Sequence, residues 1–278
     1  MSAPSVLVIA AHALDEVLGC GGTMALHAAA GSSVHVLVLC GDGSGQDAKR
    51  RAAAGRAAAL LGAQPPQFIG LPENHSGMVA LSDAVGAIER SINAHRPGVV
   101  YVTHGGNLHI DHQTAFRAAA TALRPVPGSP VGEFYAYEVV SSTDWAPPGF
   151  GDTFEPSLFV EITPVLDLKL EALELYQFDM RPEPHARSIR ALENLARARG
   201  ATVGVEAAEA LMPFARMRAM TSAGPPTAKG TVNITGLDGK SCAAACPTSA
   251  QPSHNRLKIR YIKRPLDFSV LIFSRRAP

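Results

Sequence analysis

The sequence predicts an α/β fold of the Rossmann-like kind, a mostly parallel sheet with helices on both faces. Short β-branched runs alternate with Ala-rich stretches of helical period. The first run, VLVI, is apolar at every position, as a strand covered on both faces must be. Several of the helical stretches stop at a glycine, which accepts the left-handed conformation that closes a helix.

Residues 6–11 read as the first strand and 18–30 as its helix, closed by Gly31; residues 34–40 make the second strand. A long Ala/Arg helix over 47–61 is closed by Gly62, and 67–71 is a short third strand. Leu81, Val85, Ile88 and Ile92 share one face of a helix over 81–95, and the fourth strand follows at 99–103. The helix over 112–123 ends before Arg124-Pro125, because proline turns the preceding residue away from helix. Residues 134–140 and 158–162 read as two further strands, candidates for an antiparallel orientation. Between them lies a Gly/Pro loop, SSTDWAPPGFGDTFEPS, longer than a simple connector needs. Helices over 165–177 and 185–199 follow, the second stopped by Gly200. Composition changes near Met220: residues 1–218 form one predicted domain and 219–278 an appendage, its basic run at 256–264 read as a solvated edge.

A chain of 278 residues, 46% hydrophobic and 18% charged, can bury a sizeable core. Twenty-five basic against 24 acidic residues leave a net charge of +1, which gives no global field to hold nucleic acid or an anionic membrane. The start, MSAPSVLVIAAH, lacks a basic n-region, and its apolar run is too short to span a bilayer. Cys20, Cys40, Cys242 and Cys246 are too few and scattered for a disulfide framework, so a reducing, cytoplasmic setting is expected. A homo-oligomer is left open.

Ligands of open parallel sheets collect beyond the carboxyl ends of the strands, where strand order reverses. His12 and Asp15 stand there after the first strand, and their spacing lets an imidazole and a carboxylate meet at one point, as two zinc ligands do. Alone the pair is a weak signal, since an Asp at a helix start also serves as a cap. The weight changes after the fourth strand, where THGGNLHIDH packs His104, His109, Asp111 and His112 into ten residues.

AAHALDEVLGCGGTMALHAAAG resembles the N-terminal signature of the LmbE-like, or PIG-L, zinc-dependent de-N-acetylases, normally A-H-P-D-D-E-x-x-x-G-x-G-G. The resemblance continues through the loop ending in I-D-H, through SSTDW, and through RPEPHARSIRALENLARARGATVGVEAAEAL, over about residues 5–218. It implies zinc held by His12, Asp15 and His112, with a fourth position for water. It also implies cleavage of an acetyl amide from an amino sugar or a sugar conjugate. Zinc in such a site polarises the carbonyl and lowers the pKa of water toward about 7, and a carboxylate takes the proton.

The family's general base is the first Asp of its P-D-D. Here Ala13 and Leu14 replace the Pro and that Asp. Leucine accepts no proton, so three explanations stand: an impaired or inactive relative that still binds zinc and ligand, a replacement base, or an engineered residue. The candidate replacements are Asp111, Glu16 and His109, of which Asp111 also suits orienting a ligand His, Glu16 suits a helix dipole, and His109 suits stabilising an oxyanion as an imidazolium. Arg187 sits where the family tends to keep Arg and is a candidate for a substrate hydroxyl or phosphate; Asp42 is a candidate for a sugar hydroxyl and Trp145 for stacking on a sugar ring. His27, His35 and His95 read as structural. A nucleotide-binding reading fails because GCGG lacks the G-x-G-x-x-G spacing.

Overall fold

Every residue of the first strand, β1 (Val6–Ala10), is buried, and its side chains part by period two. Val6, Val8 and Ala10 join one apolar cluster, while Leu7, Ile9 and Ala11 join another on the opposite face. The computed structural model describes residues 3–41, 43–73, 81–216, 260–261 and 270–272. After β1 come α1 (Asp15–Ala29), β2 (Val34–Cys40), α2 (Gly45–Leu60), β3 (Gln67–Leu71), α3 (Leu81–His95), β4 (Val99–Thr103), α4 (Ile110–Ala122), β5 (Glu133–Tyr137) and β6 (Leu158–Glu161). A 3₁₀ turn, α5 (Leu166–Glu174), α6 (Ile189–Val203) and β7 (Ala208–Arg216) follow, with short strands β8 (Arg260–Tyr261) and β9 (Val270–Ile272).

The sheet runs β3-β2-β1-β4-β5-β7-β6-β9-β8. β1 pairs in parallel with both β2 and β4, and β4 with β5, so the order reverses between β1 and β4. That is the switch point at which a doubly wound sheet opens its crevice. Helices α1, α2, α5 and α6 contribute to the cluster on one face, α3 and α4 to the other. Among the described residues no helix is long and apolar enough to cross a membrane.

Three details depart from the sequence reading. β5 and β6 are not neighbours: β7 lies between them and is antiparallel to both. That strand carries Pro213, which removes a ladder donor, and the pairing shifts register between Phe134 and Tyr135 beside it. Helix α6 does not stop at Gly200 but at Gly204, which takes φ +80°. Gly200 is needed for a close approach instead, because a Cβ there would stand 2.7 Å from the Ala207 nitrogen and the Val205 carbonyl.

α1 begins at Asp15, three residues earlier than predicted, and bends at Cys20, whose φ is −144°. The bend frees backbone donors in mid-helix. The buried Glu209 carboxylate, reaching in from β7, accepts from the Gly22 N–H, the Thr23 N–H and the Thr23 hydroxyl at 2.6–2.8 Å. Lys169 of α5 neutralises Glu209 at 2.6 Å and donates to the Leu18 carbonyl. Gly19 lets Tyr137 and the Glu138 carbonyl pack where any Cβ would collide.

Candidate metal centre

Because β1 and β4 lie side by side and end at the same edge, the turns that follow them bring His12 and Asp15 against His109, Asp111 and His112. Asp15 opens α1. Its Oδ2 accepts the His12 backbone N–H at 2.8 Å, which fixes the turn between the two residues. The same oxygen lies 3.5 Å from His12 Nδ1 and 3.2 Å from His112 Nε2. Ligands about 2.1 Å from a tetrahedral ion stand about 3.4 Å apart, close to the two separations from Asp15 Oδ2.

His12 turns its other nitrogen, Nε2, to Asp111 Oδ2 at 2.9 Å. A ligand imidazole whose second N–H is held by a carboxylate is the usual arrangement around zinc. Burial works against a charged His12, yet hydrogen bonds to Asp111 and Asp15, reinforced by their charges, raise it to about 9. Burial likewise works to raise Asp15, but His112 and His12 hold its carboxyl well below the ordinary range. The pocket therefore favours positive charge between its two buried carboxylates. Among the described residues, the donor atoms of His12, His109 and His112 lie within 4.8 Å of one another, as do those of His12, Cys40 and Asp111.

His109 caps α4, its Nδ1 accepting the Asp111 N–H at 3.3 Å. Its own N–H donates to Asn107 Oδ1 at 2.9 Å, and Asn107 Nδ2 donates to Thr143 Oγ1 at 3.0 Å. Burial, together with the neighbouring His12 and His112, lowers His109 to about 4. That shift favours the neutral imidazole, and with Nδ1 accepting, its proton lies on Nε2; the sequence alone left His109 open between an oxyanion-stabilising imidazolium and a solvated side chain.

Leu14 is 3% exposed and sits at φ +104°, a left-handed conformation that a branched side chain rarely adopts. Its N–H donates to Glu16 Oε2 at 3.0 Å, while Glu16 Oε1 accepts the Tyr176 hydroxyl at 3.1 Å. Burial and the charge of Asp15 push Glu16 up to about 7 against those hydrogen bonds. Both Glu16 oxygens are engaged and the residue is buried, as is Asp111; of the three candidate bases, His109 alone has appreciable exposure, its side chain being 30% open.

Arg187 and Trp145 each touch His185 at a second place, the Arg187 N–H donating to His185 Nδ1 at 3.0 Å. Arg187 Nε donates to Ser141 Oγ at 2.8 Å, Ser141 having φ +64°, and Trp145 packs edge-on against His185 with ring centroids 5.4 Å apart. This 141–152 loop is tied to the His109 loop: the Leu108 N–H donates to the Ser142 carbonyl at 3.1 Å, and Gly106 lies so close to the Asp152 carbonyl that no Cβ fits. Asp42 lies outside the described residues. His104 is fully buried, its Nδ1 accepting the Gly106 N–H and its ring against Phe154. His27 bonds the Tyr101 hydroxyl, and His35 stacks on His95, all apart from this cluster. Cys40, Asn107 and Tyr176 were not singled out by sequence; a thiol at the end of an apolar run reads as core.

Residues 7–123 match the model of the PIG-L family, described as GlcNAc-PI de-N-acetylase, the family that the sequence resembles. The chain is 26% identical over 180 residues to the uncharacterized deacetylase YaiS of Escherichia coli K12, covering 62% of this chain and 90% of that protein. Its fold is that of the N,N'-diacetylchitobiose deacetylase of Pyrococcus horikoshii, with TM-score 0.61, 19% identity, and coverage of 76% of this chain and 84% of the other. It is also that of GalB, the 4-carboxy-2-hydroxymuconate hydratase of Pseudomonas putida KT2440, with TM-score 0.61, 24% identity, and coverage of 77% and 97%.

Proposed function

We propose, from the PIG-L match over residues 7–123, that this chain binds zinc through His12, Asp15 and His112 and acts on an N-acetylated amino sugar or sugar conjugate, its hydrolysis weakened by Leu14. The observation that carries this reading is the approach of His12 Nδ1 and His112 Nε2 to the one oxygen, Asp15 Oδ2. Zinc bound there supplies Lewis acidity to the amide carbonyl and acidity to water.

The chain's own residues do the rest. Asp111 holds His12 by its Nε2 proton and so leaves Nδ1 as the ligand atom. Neutral His109, its Nδ1 taken up by the Asp111 N–H, offers the Nε2 proton to the carbonyl oxygen as charge develops on it. Glu16 ties down the turn through the Leu14 N–H and Tyr176. Arg187, fixed by Ser141, and the half-exposed Trp145 meet the sugar portion. With Asp111 and Glu16 both engaged, no strong carboxylate base replaces the one that Leu14 lacks. The two buried free thiols, Cys20 and Cys40, suit a cytoplasmic setting.

A second reading, a non-catalytic protein that binds zinc and the same sugar, is favoured by Leu14 itself, and the hydratase on the same fold is a reminder that fold alone does not choose the reaction. Acetate release from N-acetyl sugars by the Leu14→Asp variant separates the two. General-base catalysis is worth about 10²–10⁴-fold, and a gain of that size over the parent is expected. An unchanged rate across the sugars would sink the deacetylase reading.

A further inference from the structure

We propose that Cys40, Asp111 and the Nε2 side of His12 form a second position for a thiophilic divalent cation, one that excludes occupancy of the first. It shares His12 and Asp111 with the zinc reading, and its exclusion of the first position rests on that reading. Cys40 ends β2, beside the β1 end that carries His12, and its Sγ lies within 4.8 Å of a ring nitrogen of His12 and a carboxylate oxygen of Asp111. Cys40 packs in the apolar cluster beneath α3 and α4, whereas Leu14 belongs to the cluster on the other face. The thiol is therefore presented to His12 from the α4 side, where Asp111 stands. Thiolate, imidazole and carboxylate make a donor set selective for soft or borderline ions such as cadmium and zinc.

The exclusion follows from the tautomer of His12. A neutral imidazole has one nitrogen lone pair to give. In the neutral tautomer whose Nε2–H donates to Asp111, the lone pair is on Nδ1, the nitrogen nearer Asp15. An ion bound through Nε2 requires the opposite tautomer, with the proton moved to Nδ1, and the first position then loses a ligand. The same event converts the Cys40 thiol to thiolate and releases its proton to solvent. Burial, with Asp111, Asp15 and Glu73 nearby, raises the Cys40 thiol, so without an ion it stays protonated and inert. A thiophilic cation would thus act as an inhibitor by drawing His12 away.

The test titrates the zinc-loaded full chain with cadmium chloride, in a Cys242→Ser/Cys246→Ser background that removes the two thiols outside the described residues. Ultraviolet absorbance follows the thiolate-to-cadmium charge-transfer band, and released zinc is measured in parallel. The expected result is a band saturating at about one equivalent with release of about one zinc, the band vanishing in Cys40→Ser and in Cys40→Ala and persisting in His112→Ala. A band that survives both Cys40 variants, no band in the parent, or a Cys40-dependent band with zinc fully retained overturns the proposal. Protein that is isolated without zinc yet shows the Cys40-dependent band keeps this proposal and defeats the zinc reading instead.

Discussion

Leu14 holds a backbone conformation that costs a residue with a Cβ about 1–3 kcal/mol, and such strain persists only where the surroundings over-determine it. Here they do: its N–H goes to Glu16, and its carbonyl accepts the N–H groups of Val17 and Leu18. The turn presents a side chain between His12 and Asp15, and what it presents is a buried alkyl group. Asp111 is the complementary case, a carboxylate that reaches no solvent and acts through His12. Asp111→Asn is expected to weaken zinc binding by about 10–100-fold, measured by competition with a chelator, while the thermal unfolding midpoint changes little. Equal affinities would remove Asp111 from the account. That His12, Asp15 and His112 come together was legible, since each follows a strand of the parallel sheet, but their choice as a ligand set came from the family resemblance. The tautomer of His109, the φ of Leu14 and Ser141, and the approach of Cys40 to His12 were not legible, since each depends on what the chain packs against.

At the scale of elements, the bend in α1 carries the most consequence, because it draws a buried carboxylate from β7 onto mid-helix donors. Its freed donors are met by Glu209, and Glu209 by Lys169, all buried. Removing one member of a buried ion pair leaves the other uncompensated, so Glu209→Ala is expected to destabilise the fold by about 3–5 kcal/mol in denaturant unfolding. A loss under about 1 kcal/mol would show that the bend is held by packing alone. Gly19→Ala should cost about 1–3 kcal/mol in the same measurement, because the new Cβ meets Tyr137 and the Glu138 carbonyl; a neutral effect would mean that Tyr137 gives way freely. The helices and the parallel strands were readable from period and from β-branched runs. β7 was not: its AEALMPFAR mixes alanines, a glutamate and a proline, and it becomes a strand because it has neighbours on both sides and Glu209 has a partner. Gly200 misled for a related reason, since a glycine required by a close approach looks the same in sequence as one that ends a helix.

Over the whole molecule, the order β3-β2-β1-β4-β5 places the ends of β1 and β4 together at the reversal, and this alone makes one site from two motifs separated by about a hundred residues. The alternation of strand and helix made that arrangement legible in the sequence, whereas the antiparallel side of the sheet came from packing. Among the described residues of 219–278, β9 pairs with β6 and β8 with β9, at the far edge of the sheet from the reversal. We expect residues 1–218 alone to unfold in a single cooperative thermal transition and to retain metal; failure to fold would make the appendage part of the domain. The most direct test of the central claim is metal analysis of the purified chain beside its His12→Ala and His112→Ala variants, each verified as folded by circular dichroism. About one zinc per chain in the parent and none in either variant is the predicted result, and full zinc occupancy in both variants would contradict it.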